Sequence, residues 1–82
     1  HGEDKLLASC YHASLALAEQ KHIKTIGFPS ISTGAYGFPA ERAACIAVTE
    51  TKKFMEQTSI IGRVVFVCFD RRNFDLYRAL LK

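Results

Sequence analysis

A run of small, hydroxyl-bearing and aromatic residues between positions 28 and 39 offers the groups best suited to hold a ligand. Gly34 and Gly37 stand three residues apart, with Tyr36 between them. Glycine allows backbone conformations with positive φ and a close approach of a ligand. Consecutive N–H groups in such a turn can point into one concavity, and a helix that follows adds its positive N-terminal end. The run therefore predicts a site for a phosphate or diphosphate, with the tyrosine over a sugar or a base.

The run fits none of the common phosphate or nucleophile motifs. It has no lysine and no G-x-x-x-x-G-K-[ST] spacing, no G-x-G-x-x-G and no G-x-S-x-G. Ser32 and Thr33 are nucleophiles in principle, but no histidine–carboxylate pair lies near them in sequence. We therefore interpret these hydroxyls as groups that steady the loop or touch phosphate.

A second candidate site follows the apolar run at 63–69, where Phe69 precedes Asp70. Phe69 is either the last core residue of a strand or a ring that stacks on a base. Asp70 is predicted to cap a helix, with a ligand contact as a secondary role. Because ligands bind outside the carboxyl ends of strands in open α/β sheets, these residues and the glycine loop are expected at one edge.

The elements that must position these residues follow from hydrophobic spacing. On helix 4–20, the stripe Leu7, Cys10, Ser14 and Leu17, with Leu6 and Ala18 alongside, is predicted to face the core. A second helix is predicted from Pro39 towards Gly62, and its inner face would carry Ala43, Ala44, Ala47, Val48, Thr51, Phe54 and Met55. A third helix is predicted over 72–81, with Phe74, Tyr77, Leu80 and Leu81 turned inward.

Strands are predicted over 24–28 and 63–69, and the second is apolar enough to be covered on both faces. The order α-β-loop-α-β-α indicates an α/β fold with too few strands for a complete sheet. Further strands would come from an N-terminal segment, a partner chain or a swapped dimer.

Composition narrows the classes of function. The chain has 82 residues and a net charge of +3 from scattered residues, so one small domain and no specific nucleic-acid partner are expected. No apolar run is long enough to span a membrane. Cys10, Cys45 and Cys68 are predicted to be buried, reduced thiols of a cytoplasmic protein. His12 and His22 are assigned no chemistry, and no metal or cofactor is expected.

The stretch Ile31–Pro39 closely resembles the second ligand-binding loop of macrodomains, the ADP-ribose-binding family. Leu6–Tyr11, Ala43–Ala47 and Val65–Asp70 are similar to the family's neighbouring helices and last strand. The branch that it resembles removes mono-ADP-ribose from proteins or deacetylates O-acetyl-ADP-ribose. The resemblance implies a three-layer α/β/α fold with a mixed sheet, of which residues 1–82 supply the C-terminal half, α-β-α-β-α. The family's N-terminal strands and first ligand loop, with its catalytic aspartate, lie outside this sequence.

The resemblance also implies roles for matching positions. The ligand contacts would be Ile31, Ser32, Thr33, Gly34, Ala35, Tyr36, Gly37, Phe69 and Asp70. Tyr36 would position the distal ribose for attack by a water, while the main catalytic residues would lie in the missing half. Ala35 is smaller than the valine or isoleucine often found there, which implies a slightly looser grip on the ligand.

Three functional hypotheses follow. The first is an enzyme that hydrolyses esters of ADP-ribose when the domain is complete. The second is a non-catalytic module that binds ADP-ribose or another nucleotide, since fold does not fix function. The third is an inactive structural half that requires a complementary chain or a swapped twin.

Overall fold

The computed structural model describes residues 2–29 and 39–81 and contains five elements in the predicted order. They are α1 (Gly2–Gln20), β1 (Thr25–Pro29), α2 (Ala40–Gln57), β2 (Arg63–Val67) and α3 (Arg71–Leu81). α2 ends at Gln57 rather than near Gly62, because the chain turns at Thr58, whose hydroxyl accepts hydrogen bonds from the N–H groups of Ile60 and Ile61. β2 ends two residues before the predicted limit.

The two strands are parallel and in register from Thr25 opposite Arg63 to Pro29 opposite Val67. Side chains alternate between the two faces of a strand. Ile26 and Phe28 of β1, like Val64 and Phe66 of β2, belong to or pack against the core. On the opposite face Arg63 and Val67 are exposed and Val65 is half-buried. The prediction that β2 is covered on both faces is therefore wrong for the described residues, in which only one face of the strand carries a packed layer.

The inner face of α1 differs from the predicted stripe. Leu7, Tyr11, Leu15 and Ala18 are buried, whereas Leu6 and Leu17 are exposed. Cys10 is also exposed and Ser14 is half-buried. Both stripes have three-to-four spacing on a helix that is apolar almost all round, and the tertiary contacts select the one that carries Tyr11.

The prediction that all three cysteines are buried is also wrong. Cys10 and Cys45 are exposed and Cys68 is half-buried, all three as free thiols. Cys10 loses its core position because the buried face of α1 is rotated by one residue from the predicted stripe. Cys45 is exposed although Ala44 and Ala47, close to it in the same helix, are buried.

α2 packs against both other helices with the predicted face. Ala43, Ala44, Ala47, Val48 and Thr51 are buried. Phe54 and Met55 are partly buried against the same cluster. The alanines leave little side chain between α2 and its neighbours, which permits close approach at the start of the helix.

Aromatic rings join four of the five elements. The Tyr11 ring meets Phe28 edge-on with centroids 5.0 Å apart, and Phe66 stacks on Tyr77 at 4.8 Å. Phe28 and Phe66, opposite each other in the sheet, lie 6.3 Å apart. Aromatic pairs in these geometries add to the stability of a core, in addition to the contribution from the apolar area that they bury. The cluster fixes α1 and α3 on the same face of the sheet.

The predicted inner face of α3 is confirmed only in part. Tyr77 is buried and Leu80 is half-buried, but Phe74 and Leu81 are each about half exposed. Asn73, for which no core role was predicted, is buried instead. α3 therefore carries an apolar strip with no cover among the described residues.

Candidate functional site

The two strands end at the same edge of the sheet, as predicted. Pro29, the last residue of β1, lies opposite Val67, the last residue of β2. The segment that follows β1 and the residues Cys68, Phe69 and Asp70 that follow β2 therefore leave the sheet at one edge. The seven loop residues predicted to hold the ligand, Ile31 to Gly37, lie outside the described residues.

All three helices begin at this carboxyl edge, and two ion pairs connect their first turns. Arg42 of α2 donates to the Asp4 carboxylate of α1, with Nη2 to Oδ2 at 2.6 Å. Arg72 of α3 donates to Glu41 of α2 at 2.9 Å. The N-terminal end of a helix carries a partial positive charge from its unpaired N–H groups. Three such ends at one edge favour an anion there.

Glu41 belongs to this arrangement of charges. A hydrogen bond from its own backbone N–H, followed by the Arg72 guanidinium, lowers the pKa of the Glu41 carboxyl. The carboxylate is therefore ionised at neutral pH and pairs with the Arg72 guanidinium. Both side chains are largely exposed to solvent, so breaking this ion pair costs little free energy.

Phe69 projects into solvent just beyond β2. Its exposure is 81%, the highest of the large apolar side chains described. The interpretation of Phe69 as the last core residue of its strand is therefore wrong. A planar ring left in solvent at the carboxyl edge has the geometry of a platform for another planar group.

Asp70 caps α3, as predicted. Its Oδ1 accepts a hydrogen bond from the backbone N–H of Asn73 at 2.8 Å, and its backbone carbonyl accepts one from the N–H of Phe74 at 3.1 Å. The Asn73 backbone N–H, with the Asn73 side-chain amide second, lowers the pKa of the Asp70 carboxyl. The cap fixes the direction in which α3 leaves the site.

Asn73 is the residue near the site that sequence reasoning missed. Its Nδ2 is 3.1 Å from both carboxylate oxygens of Asp70, while its buried Oδ1 has no hydrogen-bond partner. The signal that points to it is the spacing Asp70-x-x-Asn73, which has the separation of a capping box but with Asn in place of the usual Glu or Gln. Asn73 ties the cap to the interior, one turn before the buried Tyr77.

His12 and His22 lie away from this edge and are exposed, as expected of ordinary surface residues. His12 meets Phe54 edge-on at 5.7 Å. His22, two residues after the end of α1, has a φ of 58°. Within residues 2–29 and 39–81 no group of three or more metal-ligating side chains comes together. No helix in those ranges has the length and apolarity needed to cross a membrane.

The family model described as the Macro domain matches residues 1–47, more than half of the chain. The chain belongs to the macro domain family. The match covers α1, β1 and the start of α2, and so includes the loop from which the resemblance was drawn.

Curated macro domain proteins align with nearly the whole chain. A macro domain-containing protein of Chlorobaculum tepidum is 51% identical over 81 residues, which are 99% of this chain and 47% of that protein. A Pantoea vagans protein named O-acetyl-ADP-ribose deacetylase 1 is 47% identical over 81 residues, again 99% of this chain and 47% of that protein. The chain thus spans about half the length of the curated relatives that it matches.

The fold agrees with that of solved macrodomains. The crystal structure of the Trypanosoma brucei macrodomain in complex with ADP-ribose superposes with a TM-score of 0.92 at 34% identity. The superposition covers 96% of this chain and 34% of that one. The expected α/β macrodomain fold is confirmed, with this chain forming an α-β-α-β-α part of it.

Proposed function

We propose that the complete macro domain to which this chain contributes binds ADP-ribose at the carboxyl edge of the sheet. The observation that carries the proposal is the meeting of three helix N-termini and two strand ends at one edge, with the Phe69 ring exposed beside them. The positive helix ends suit a diphosphate, and the ring suits an adenine. The Trypanosoma brucei relative with this fold was crystallised with ADP-ribose.

Residue roles follow the sequence-based expectations. We assign the diphosphate to the backbone of Ser32 to Tyr36, flanked by Ile31 and Gly37, the distal ribose to Tyr36, and the adenine to Phe69. Asp70 contributes mainly by capping α3 beside the ring. Arg72 offers a further positive charge at the same edge through its exposed guanidinium.

We further propose that the complete domain hydrolyses esters of ADP-ribose, as the name of the Pantoea vagans relative suggests. In this proposal Tyr36 holds the distal ribose in position for an attacking water, and the remaining catalytic groups come from outside residues 1–82. Positioning of this kind lowers a barrier because it removes the entropy cost of orienting the reactants. The three free thiols fit a reducing, cytoplasmic location.

We also propose that residues 1–82 form the C-terminal half of the domain. The chain aligns with about half of each curated relative. Its two-stranded sheet has one face without a packed layer among the described residues. The isolated chain then supplies only part of the ligand contacts, and we expect it to bind ADP-ribose more weakly than a complete domain.

A chimera tests the binding proposal. In the Chlorobaculum tepidum protein, this chain replaces the segment that it matches, and ADP-ribose is titrated into the chimera by isothermal titration calorimetry. Gly34→Glu is expected to abolish binding, because it fills and charges the phosphate site. Gly62→Glu is the matched control, since a Cβ atom at Gly62 would meet only the Lys24 carbonyl oxygen, at 3.9 Å. Unchanged affinity in the Gly34 variant would refute the assignment.

The same chimera separates an enzyme from a binding module. O-acetyl-ADP-ribose is incubated with it, and released acetate is measured against the Tyr36→Ala variant. Hydrolysis that falls in the variant supports catalysis with Tyr36 as a positioning residue. ADP-ribose binding without hydrolysis in the unmodified chimera would favour the non-catalytic module.

A further inference from the structure

The direction of the Phe69 ring is set mainly by the backbone on either side of it. The ring is 81% exposed, so packing against the core does little to fix it. β2 ends at Val67, before Phe69, and α3 begins at Arg71, just after the cap residue Asp70. Asp70 directly follows Phe69 and is therefore the side chain nearest to the ring that anchors this short connection to a helix.

The Asp70 carboxylate is attached to Asn73 at more than one point. Its Oδ1 accepts a hydrogen bond from the Asn73 backbone N–H at 2.8 Å. Nδ2 of the Asn73 side chain lies 3.1 Å from each of the two carboxylate oxygens. Hydrogen bonds to an ionised acceptor are stronger than those between neutral groups. The carboxylate is therefore fixed in orientation as well as in position.

The helix cap alone does not require an asparagine at position 73. The backbone N–H that Asp70 accepts is present with any side chain at that position except proline. The Asn73 side chain is only 6% exposed, and its buried Oδ1 has no hydrogen-bond partner among residues 2–29 and 39–81. A buried acceptor without a partner costs free energy. What the asparagine adds is the hold of its amide on the Asp70 carboxylate.

We propose that Asn73 is a positioning residue for the adenine platform. Its amide locks the Asp70 carboxylate to the buried first turn of α3, and the locked Asp70 keeps the adjoining Phe69 ring in one orientation before a ligand arrives. The inference rests on the proposed function, in which Phe69 stacks on the adenine. A ring that is already ordered loses less conformational entropy on binding, so the affinity for a ligand with a base rises.

Asn73 acts through its neighbours and not by contact with the ligand. Its side chain is buried, whereas Phe69 is exposed at the carboxyl edge. The loss of the amide should therefore affect only the part of the binding energy that comes from the base. Binding of the phosphate and the distal ribose, which we assign to other residues, should be unchanged.

Calorimetry on the chimera with the Chlorobaculum tepidum protein tests this selectivity. Asn73→Ala is expected to weaken ADP-ribose binding by at least about fivefold. Binding of ribose 5-phosphate, which has no base, is expected to change by less than about twofold. Asn73→Thr keeps a hydrogen-bond donor near the carboxylate and should restore ADP-ribose affinity to within about threefold of the unmodified chimera.

Thr51→Ala is the matched control for the loss of a buried polar side chain. Thr51 is also 6% exposed, and its buried hydroxyl likewise has no partner among the described residues, but it lies in α2. Its replacement should leave the ratio of the ADP-ribose and ribose 5-phosphate affinities unchanged. A change in that ratio equal to the change in Asn73→Ala would show a general effect of stability and overturn the proposal.

A double-mutant cycle with Phe69 separates positioning from a merely structural role. In the Phe69→Ala chimera, Asn73→Ala should change ADP-ribose affinity by less than about twofold, because the ring that it positions is gone. Asp70→Asn provides a second arm, should the Asn73→Ala chimera lack a cooperative unfolding transition. It keeps an N-cap acceptor but removes a carboxylate oxygen that the Asn73 amide contacts, and its effect should depend on Phe69 in the same way.

The outcomes of the cycle are distinct. Equal losses of affinity with and without the Phe69 ring would overturn the proposal, as would unchanged affinity in a folded Asn73→Ala or Asp70→Asn chimera. A loss in Phe69→Ala with none in these variants refutes this inference alone. Unchanged affinity in Phe69→Ala refutes the adenine assignment in the proposed function, and the role of Asn73 falls with it.

Discussion

Removal of the Phe69 ring should weaken ligand binding without weakening the fold. The side chain is four-fifths exposed, so Phe69→Ala gives up only about a fifth of the burial energy of a phenylalanine. Full burial contributes roughly 1.5–3 kcal/mol, which limits the loss here to about 0.3–0.6 kcal/mol. By contrast Phe28→Ala, at a buried ring that contacts Tyr11 and Phe66, should cost about 3–5 kcal/mol.

The loss of affinity should be much larger than the loss of stability. Stacking of a base on an aromatic side chain contributes roughly 1–3 kcal/mol, so Phe69→Ala should weaken ADP-ribose binding by about 5- to 150-fold. Phe69→Tyr keeps a planar ring and should bind within about threefold of the unmodified chimera. The effect should vanish with ribose 5-phosphate, which has no base to stack.

Two measurements decide this prediction. Urea unfolding of the 82-residue chain gives the change in stability, and calorimetry on the chimera gives the change in affinity. Leu17→Ala is the control for affinity, because Leu17 is an exposed apolar residue of α1 away from the carboxyl edge. A stability loss above about 1.5 kcal/mol would mean that the ring packs in the core. Equal affinities for ADP-ribose in Phe69→Ala and the unmodified chimera would exclude Phe69 as the adenine platform.

Three further predictions concern the isolated chain. Leu15→Ala should destabilise the chain by about 3–5 kcal/mol in urea unfolding, because Leu15 is fully buried and its truncation leaves a cavity. A loss of stability below about 1 kcal/mol would contradict the buried face assigned to α1. Burial, with a hydrogen bond between the two hydroxyls, raises the pKa of Tyr11, and burial raises that of Tyr77; the folded state then keeps protons that the unfolded state releases above about pH 10. Stability should therefore fall as the pH rises above that value, with a shallower fall in Tyr11→Phe, and identical slopes would show that Tyr11 is not the cause. His22→Gly should stabilise the chain by up to about 1 kcal/mol, because glycine adopts the positive φ just after α1 without strain. A lower urea midpoint in the variant would show that the histidine side chain makes a compensating contact.

The order of elements could be predicted because it depends on local spacing. The common edge of the two strands could be predicted because strands joined through a helix run parallel in one sheet. The alanine-rich face of α2 has one periodic pattern, and the structure buries that face. Asp70 caps α3 because a carboxylate just before a helix accepts hydrogen bonds from the free N–H groups of the first turn. This interaction is local and does not depend on the rest of the fold. The macro domain family was likewise recognisable from the glycine loop and the last strand. The roles proposed for Ile31 to Gly37 remain predictions, since those residues lie outside the described ranges.

Where two faces of an element are equally apolar, only the tertiary structure decides which is buried. α1 offers one stripe through Cys10 and Leu17 and another through Tyr11 and Leu15, and the contact of Tyr11 with Phe28 selects the second. Phe69 is apolar and follows an apolar strand, yet it is exposed because β2 ends at Val67. Local spacing determines which residues can share a face. Which face is buried depends on contacts between residues far apart in the chain, and those contacts exist only once the helices and strands have packed.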